Sequence, residues 1–131
     1  MRAVDTNVLA RFLLRDDPAQ YAIARNIVRG DILVPATVLV ELSWLLLSTI
    51  RLPRLVVHTA LLGLVDMTNV HMVDEPLIRW ALARFADGAD FADTVHMAVA
   101  RDATSFLTFD HGLAERAGSD APLPVEILDA S

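Results

Sequence analysis

The chain has 131 residues, of which 54% are hydrophobic and 21% are charged, enough for one domain with a sizeable apolar core. This balance excludes an intrinsically disordered chain. The absence of Cys excludes a disulfide framework, a thiolate zinc cluster and a thiol nucleophile. The net charge is −6 and every basic residue is Arg, so the overall charge does not indicate a basic nucleic-acid-binding groove.

Two features bear on the expected location of the protein. Charged residues at positions 2 and 5 interrupt the N-terminal apolar residues, so we expect no secretory signal. The longest apolar stretch, Ile32–Ile50, contains Pro35 and Glu41, and a carboxylate at mid-membrane costs about 2.5–3.5 kcal/mol. We therefore predict a buried segment rather than a membrane span, and a cytoplasmic protein.

Short apolar runs alternate with helical patterns along the whole chain. The predicted strands are Arg2–Val4, Asp31–Val34, Asn69–Val73, Ser105–Phe109 and Val125–Leu128. The predicted helices cover 7–14, 18–29, 36–50, 54–65, 74–86, about 93–102 and about 110–117. This alternation predicts an α/β fold, with a parallel sheet of four to five strands covered by helices on both faces, in a single domain of residues 1–131.

Four carboxylates are candidates for a functional site at the carboxyl edge of such a sheet. Asp5 directly follows the first strand and Asp110 the fourth, and ligands bind beyond the carboxyl ends of parallel strands. Glu41 and Asp93 lie within one or two turns of predicted helix starts. Asp is also a favoured helix N-cap, so capping stays open as the role of each Asp. Asp90 is expected in an exposed loop and stays a possible auxiliary.

Glu41 is harder to explain as a structural residue. It lies beyond the first turn of a nearly all-apolar helix, with Val38, Trp44 and Leu45 as neighbours on its face. Such a helix is expected to be buried, and an unpaired buried carboxylate costs several kcal/mol. No Arg lies within one turn, so we expect a cation from elsewhere in the fold or a metal ion.

The four acids, if they converge, form an all-oxygen site, which suits Mg²⁺ or Mn²⁺ better than Zn²⁺. Thr6 and Asn7 are beside Asp5, and Thr108 shares a strand face with Asp110, so these three are candidate supporting groups.

Histidine and arginine add less to this predicted site. His96 lies one turn after Asp93 and is expected to be partly buried and structural, although a ligand or base role stays open. Arg11 and Arg15 are candidates for gripping RNA phosphates, or else belong to a solvated face.

Four segments together resemble the PIN-domain ribonucleases, and most closely the VapC toxins of prokaryotic toxin–antitoxin pairs. They are Val4-Asp5-Thr6-Asn7, the Pro35-Ala36 to Glu41-Leu42 segment, Asp90-Phe91-Ala92-Asp93-Thr94-Val95-His96-Met97-Ala98 and Leu107-Thr108-Phe109-Asp110. They occur in order and span nearly the whole chain. The resemblance implies a three-layer α/β/α sandwich with a parallel sheet and an acidic pocket.

The resemblance also implies an activity and partners. Asp5, Glu41, Asp93 and Asp110 would be the acidic set, with Asp5 and Asp93 as the core ligands of Mg²⁺ or Mn²⁺. The protein would be an endoribonuclease toxin that cleaves single-stranded RNA, tRNA or mRNA, forms a homodimer and is silenced by a cognate antitoxin. The alternatives are a PIN nuclease without an antitoxin and a catalytically silent binding module whose acids only cap helices.

Overall fold

The computed structural model describes residues 1–129, so the last two residues of the predicted 1–131 domain lie outside the described residues. The chain divides into two compact units, Met1–Glu75 and Pro76–Ser131. No helix within residues 1–129 is long and apolar enough to cross a membrane.

The first unit contains a three-stranded parallel sheet. Its strands are β1 (Arg2–Ala3), β2 (Ile32–Leu33) and β3 (Val70–His71), in the order β1-β2-β3. Ala3 pairs with Leu33, which pairs in turn with His71. The Asn69 side chain donates hydrogen bonds to the carbonyl oxygens of Val28, at 2.5 Å, and Gly30, at 2.8 Å. These bonds satisfy carbonyls at a helix end and tie it to the start of β3.

Four α-helices and one π-helical segment connect these strands along the chain. They are α1 (Thr6–Leu14), α2 (Pro18–Val28), α3 (Ala36–Trp44), the π-helical segment Leu45–Thr49 and α4 (Arg54–Asp66). Asp17 caps α2 as the sequence predicts, because its carboxylate accepts the Gln20 N–H at 3.1 Å and Pro18 occupies the first turn.

The predicted helix 36–50 differs from the structure in its last third. It is α-helical only to Trp44 and continues as the π-helical segment, where the Ile50 N–H donates to the Leu45 carbonyl. Just before this change, the Ser43 hydroxyl donates to the Val40 carbonyl at 2.7 Å. Bonds of this kind compete with the helical ladder and commonly bend helices.

The second unit combines three helices with a two-stranded parallel sheet. The elements are α5 (Glu75–Ala86), α6 (Phe91–Val99), β4 (Phe106–Thr108), α7 (Leu113–Ala117) and β5 (Val125–Ile127). β4 pairs with β5 from Phe106 opposite Val125 to Thr108 opposite Ile127. A buried apolar cluster holds α6 and α7 together through Met97, Leu113, Ala117 and Leu123. Burial of such side chains contributes roughly 1.5–3 kcal/mol for each large one.

These elements confirm the α/β fold class with parallel strands. Residues 1–129 contain five strands, divided between a sheet of three and a sheet of two, where the sequence predicts one sheet of four to five strands. Each strand is only two or three residues long, so each ladder rests on a few hydrogen bonds.

Candidate acidic site

Asp5 has a structural role that leaves part of its carboxylate available. It follows β1 and caps α1, where its Oδ1 accepts the Val8 N–H at 3.3 Å. Among residues 1–129, Oδ2 has no hydrogen-bond partner in the structure, and the side chain is exposed. Capping and ligand binding are therefore compatible at this position. Thr6 is buried in the first turn of α1, and Asn7 lies with Val8 in an apolar groove between α1 and α2.

Glu41 is exposed on α3, so the expectation that it is buried is wrong. The helix buries Leu39, Leu42 and Ser43, whereas Trp44 is 62% exposed. The apolar composition of α3 does not mean that every face is covered, because a large share of any folded surface is apolar. Glu41 therefore does not need a cation to offset a burial cost, and its place in the acidic set depends on the family resemblance alone.

The start of α6 places two carboxylates three residues apart. Asp90 is the N-cap, and its Oδ1 accepts the Asp93 N–H at 3.0 Å. The expectation of a helix capped by Asp93-Thr94 and ending near Asp102 is therefore wrong. Phe91, only 2% exposed, lies with its ring centroid 5.7 Å from that of Phe85, so packing favours the earlier start. Asp93 consequently caps nothing and lies half-buried in the first turn.

The carboxyl group of Asp93 has an electrostatically unfavourable environment. Burial raises its pKa above the usual 3.8, and the negative charges of Asp90 and Asp110 raise it further. His96 and Arg116 lower the pKa of Asp93 and partly offset these effects. His96 itself is exposed, which corrects the expectation of a partly buried, structural histidine. The second unit therefore brings Asp90 and Asp110 within electrostatic reach of Asp93.

Asp110 is held by three contacts on the loop after β4. Its backbone N–H donates to the Thr108 hydroxyl at 3.0 Å, and its Oδ1 accepts the Gly112 N–H at 3.0 Å. Its Oδ2 accepts a hydrogen bond from Nη2 of Arg116 in an ion pair. Thr108 thus contacts the backbone of the candidate acid, and both carboxylate oxygens of Asp110 have partners.

Arg116 is itself positioned by its surroundings. A Cβ added at Gly112 would collide with its Nη1, so the guanidinium lies against the glycine backbone. The Arg116 carbonyl accepts the Nε–H of Arg84 at 2.9 Å. Arg84 also pairs with Asp87 at 3.3 Å, and a Cβ at Gly118 would lie 3.3 Å from its guanidinium carbon. These contacts fix the backbone that carries Arg116.

The sequence pattern favoured two other arginines, Arg11 and Arg15, as phosphate contacts. Arg11 is engaged by Asp16, with both carboxylate oxygens 3.0 Å from its Nη1, and Arg15 lies 5.0 Å from the ring centroid of Tyr21. Arg116 was missed, although one signal was present in the sequence. It follows Asp110 by six residues across a turn that contains Gly112.

The donor chemistry of these residues fits a hard divalent cation. The carboxylates contribute oxygen only, and a cation near Asp93 would offset the burial and the like charges that raise its pKa. Within residues 1–129, no group of three or more His, Asp and Glu side chains is arranged to hold a metal ion. Asp5 and Glu41 belong to the first unit and Asp93 and Asp110 to the second, so their convergence stays a prediction.

Comparison with known proteins identifies the family. The comparison with curated proteins gives no match. The family model of the PIN domain matches residues 2–119, which include all four predicted acids. This match covers most of the chain and agrees with the α/β fold and with the four sequence segments. The chain therefore belongs to the PIN domain family, whose fold is of the nuclease type.

Proposed function

We propose that this PIN-domain protein is an endoribonuclease that depends on Mg²⁺ or Mn²⁺. The observation that supports this proposal most directly is Asp93, a half-buried carboxylate that caps no helix and has a raised pKa. An acid in the first turn of a helix interacts favourably with the helix N-terminus, but this interaction lowers a carboxyl pKa and so does not explain the raised pKa of Asp93. Carboxylates with perturbed pKa values are frequent at functional sites.

In this proposal, Asp5 and Asp93 hold the cation, and Glu41 and Asp110 complete its binding or orient water. When bound, the ion supplies a hydrolytic water of lowered pKa and a positive charge that offsets the phosphate. Thr108 and the Gly112 N–H hold the backbone and Oδ1 of Asp110. Hydrolysis forms a bond from a water oxygen to the phosphorus and breaks the bond from the phosphorus to a ribose oxygen, and the proton that the water loses is taken up overall by that ribose oxygen.

We further propose that the protein acts in the cytoplasm as the toxin of a toxin–antitoxin pair. Its substrate is single-stranded RNA, tRNA or mRNA, and it forms a homodimer that a cognate antitoxin silences. The resemblance to VapC toxins supports these roles.

The test of the nuclease is a cleavage assay on total RNA with Mg²⁺ and with EDTA. We expect Mg²⁺-dependent cleavage by the wild type, and loss of at least 100-fold in rate for Asp93→Asn, about 2.7 kcal/mol of transition-state stabilisation. The matched control is Asp102→Asn, because Asp102 is exposed and follows the end of α6. Equal rates for wild type and Asp93→Asn would contradict the assignment.

A second candidate is a binding module without catalysis. It is favoured by the contacts that already engage three of the acids, since Asp5 and Asp90 cap helices and Asp110 pairs with Arg116. Calorimetry with Mn²⁺ separates the two candidates. The nuclease should release or absorb heat at a site that Asp93→Asn removes, whereas the binding module should show no site-specific heat.

A further inference from the structure

Arg116 lies in the second unit, and the proposed acidic site gives it no role. Its guanidinium hydrogen-bonds to one carboxylate within residues 1–129, that of Asp110, through Nη2. The side chain is 39% exposed, and that of Asp110 is 45% exposed. An ion pair this exposed contributes little to stability, so it is readily exchanged for another partner.

The placement of Arg116 is nevertheless specific. The guanidinium lies against the Gly112 backbone, and Arg84 donates a hydrogen bond to the backbone carbonyl of Arg116. Its charge also acts on Asp93.

The guanidinium has donors that Asp110 does not use. Arg carries five N–H donors in a planar fork, which matches the oxygens of a phosphate. Asp110 accepts from Nη2 alone. If a divalent cation occupies Asp110, it competes with Arg116 for the same carboxylate and frees the guanidinium.

We propose that Arg116 binds a phosphate of the RNA substrate. While the site is empty, the guanidinium of Arg116 is instead paired with the carboxylate of Asp110. This inference rests on the proposed nuclease function and adds a substrate contact to it. It also gives a chain of net charge −6 a cation beside its acids, where a polyanion must approach.

The test measures RNA binding without metal, so it does not depend on cleavage. The probe is a short fluorescein-labelled single-stranded RNA in EDTA, followed by anisotropy at several salt concentrations. In Asp110→Asn, the Asn oxygen can still accept the Gly112 N–H, but Arg116 loses its ion pair. We expect binding to tighten about 1.4- to fivefold relative to Asp102→Asn, the affinity equivalent of an exposed ion pair.

The salt dependence gives a second readout that a general charge effect would not change. One additional phosphate contact on single-stranded RNA steepens the slope of log K against log salt by about 0.7. We expect this change in Asp110→Asn and not in Asp102→Asn. Adding Arg116→Met to Asp110→Asn should remove both the gain and the steeper slope. Adding Arg29→Met, which removes an exposed arginine of the first unit, should leave the steeper slope unchanged.

The outcomes separate this inference from the proposed function. RNA cleavage by the wild type together with no gain in Asp110→Asn, or a gain that persists without Arg116, overturns the role of Arg116 alone. Absence of measurable RNA binding by Asp110→Asn also overturns it. Failure of the wild type to cleave RNA with Mg²⁺ refutes the nuclease, whatever the binding data show. Circular dichroism of each variant confirms that the comparison is between folded proteins.

Discussion

Asp90 has two roles, as a hydrogen-bond acceptor and as a negative charge, and substitutions by Asn and by Ala separate them. The Asp90 carboxylate accepts the Asp93 N–H at 3.0 Å and also places a negative charge near the Asp93 side chain. Asp90→Ala removes the acceptor and should lower the free energy of unfolding by about 1 kcal/mol. Asp90→Asn keeps an oxygen acceptor. The lost attraction to the helix N-terminus is then offset by relief of a like-charge pair worth about 0.2–0.5 kcal/mol.

We therefore expect Asp90→Asn to remain within about 0.5 kcal/mol of wild type, well separated from Asp90→Ala. The assay is urea unfolding of the metal-free protein at neutral pH, with Asp102→Ala as the control for an exposed carboxylate without a cap. Carboxyl NMR should also show a lower pKa for Asp93 in Asp90→Asn. Equal destabilisation by Asn and Ala would show that the charge, rather than the accepted hydrogen bond, carries the stabilisation, and the cap argument would be wrong.

Three further predictions concern the pH dependence due to Asp93, the response to a divalent cation and the exposure of Glu41. Since the folded protein holds the Asp93 proton more tightly than the unfolded chain, the stability of the metal-free protein should fall as pH rises from 3.8 through the raised pKa. This part of the pH dependence should be absent from Asp93→Asn when urea unfolding is followed as the pH rises from 3.8. Mg²⁺ or Mn²⁺ should stabilise the folded protein by mass action and so raise its melting temperature. At a metal concentration 100 times the dissociation constant, the free energy of unfolding should increase by about 2.7 kcal/mol. Asp93→Asn should abolish this response in a thermal shift assay. Glu41→Gln should change the unfolding free energy of the metal-free protein by less than about 0.5 kcal/mol, because Glu41 is exposed; a larger loss would show that it has a cationic partner.

Local chemistry explains which parts of the fold could be predicted from the sequence. The signals for the start of α2 lie within four residues, at Asp17, Pro18 and Gln20. The structure confirms this predicted helix start. The α/β alternation depends on the spacing of apolar residues and is confirmed as well. The start of α6 was wrong because Asp90 and Asp93 are chemically equal candidates for a cap. The choice between them is made by Phe91, whose burial depends on the rest of the fold.

Tertiary structure also decides the two errors around the candidate site. Glu41 was expected to be buried from its apolar neighbours, but Trp44 on the same helix is 62% exposed. No pattern along α3 states which face of a nearly uniform helix is covered. Arg116 was missed for a related reason, since its pairing with Asp110 arises from the turn at Gly112 rather than from helical or strand spacing.

A carboxylate can cap a helix and serve a site at once, and Asp5 shows why the capping explanation does not compete with the nuclease. The cap uses Oδ1 alone and is worth about 1 kcal/mol. Asp5→Asn keeps an oxygen for the Val8 N–H but removes the negative charge that a cation requires. Its effect on stability and its effect on metal binding should therefore differ in size. A protein that retains its folding stability and loses its Mn²⁺ heat in Asp5→Asn uses this carboxylate for both purposes, whereas unchanged Mn²⁺ heat would leave Asp5 with the cap alone.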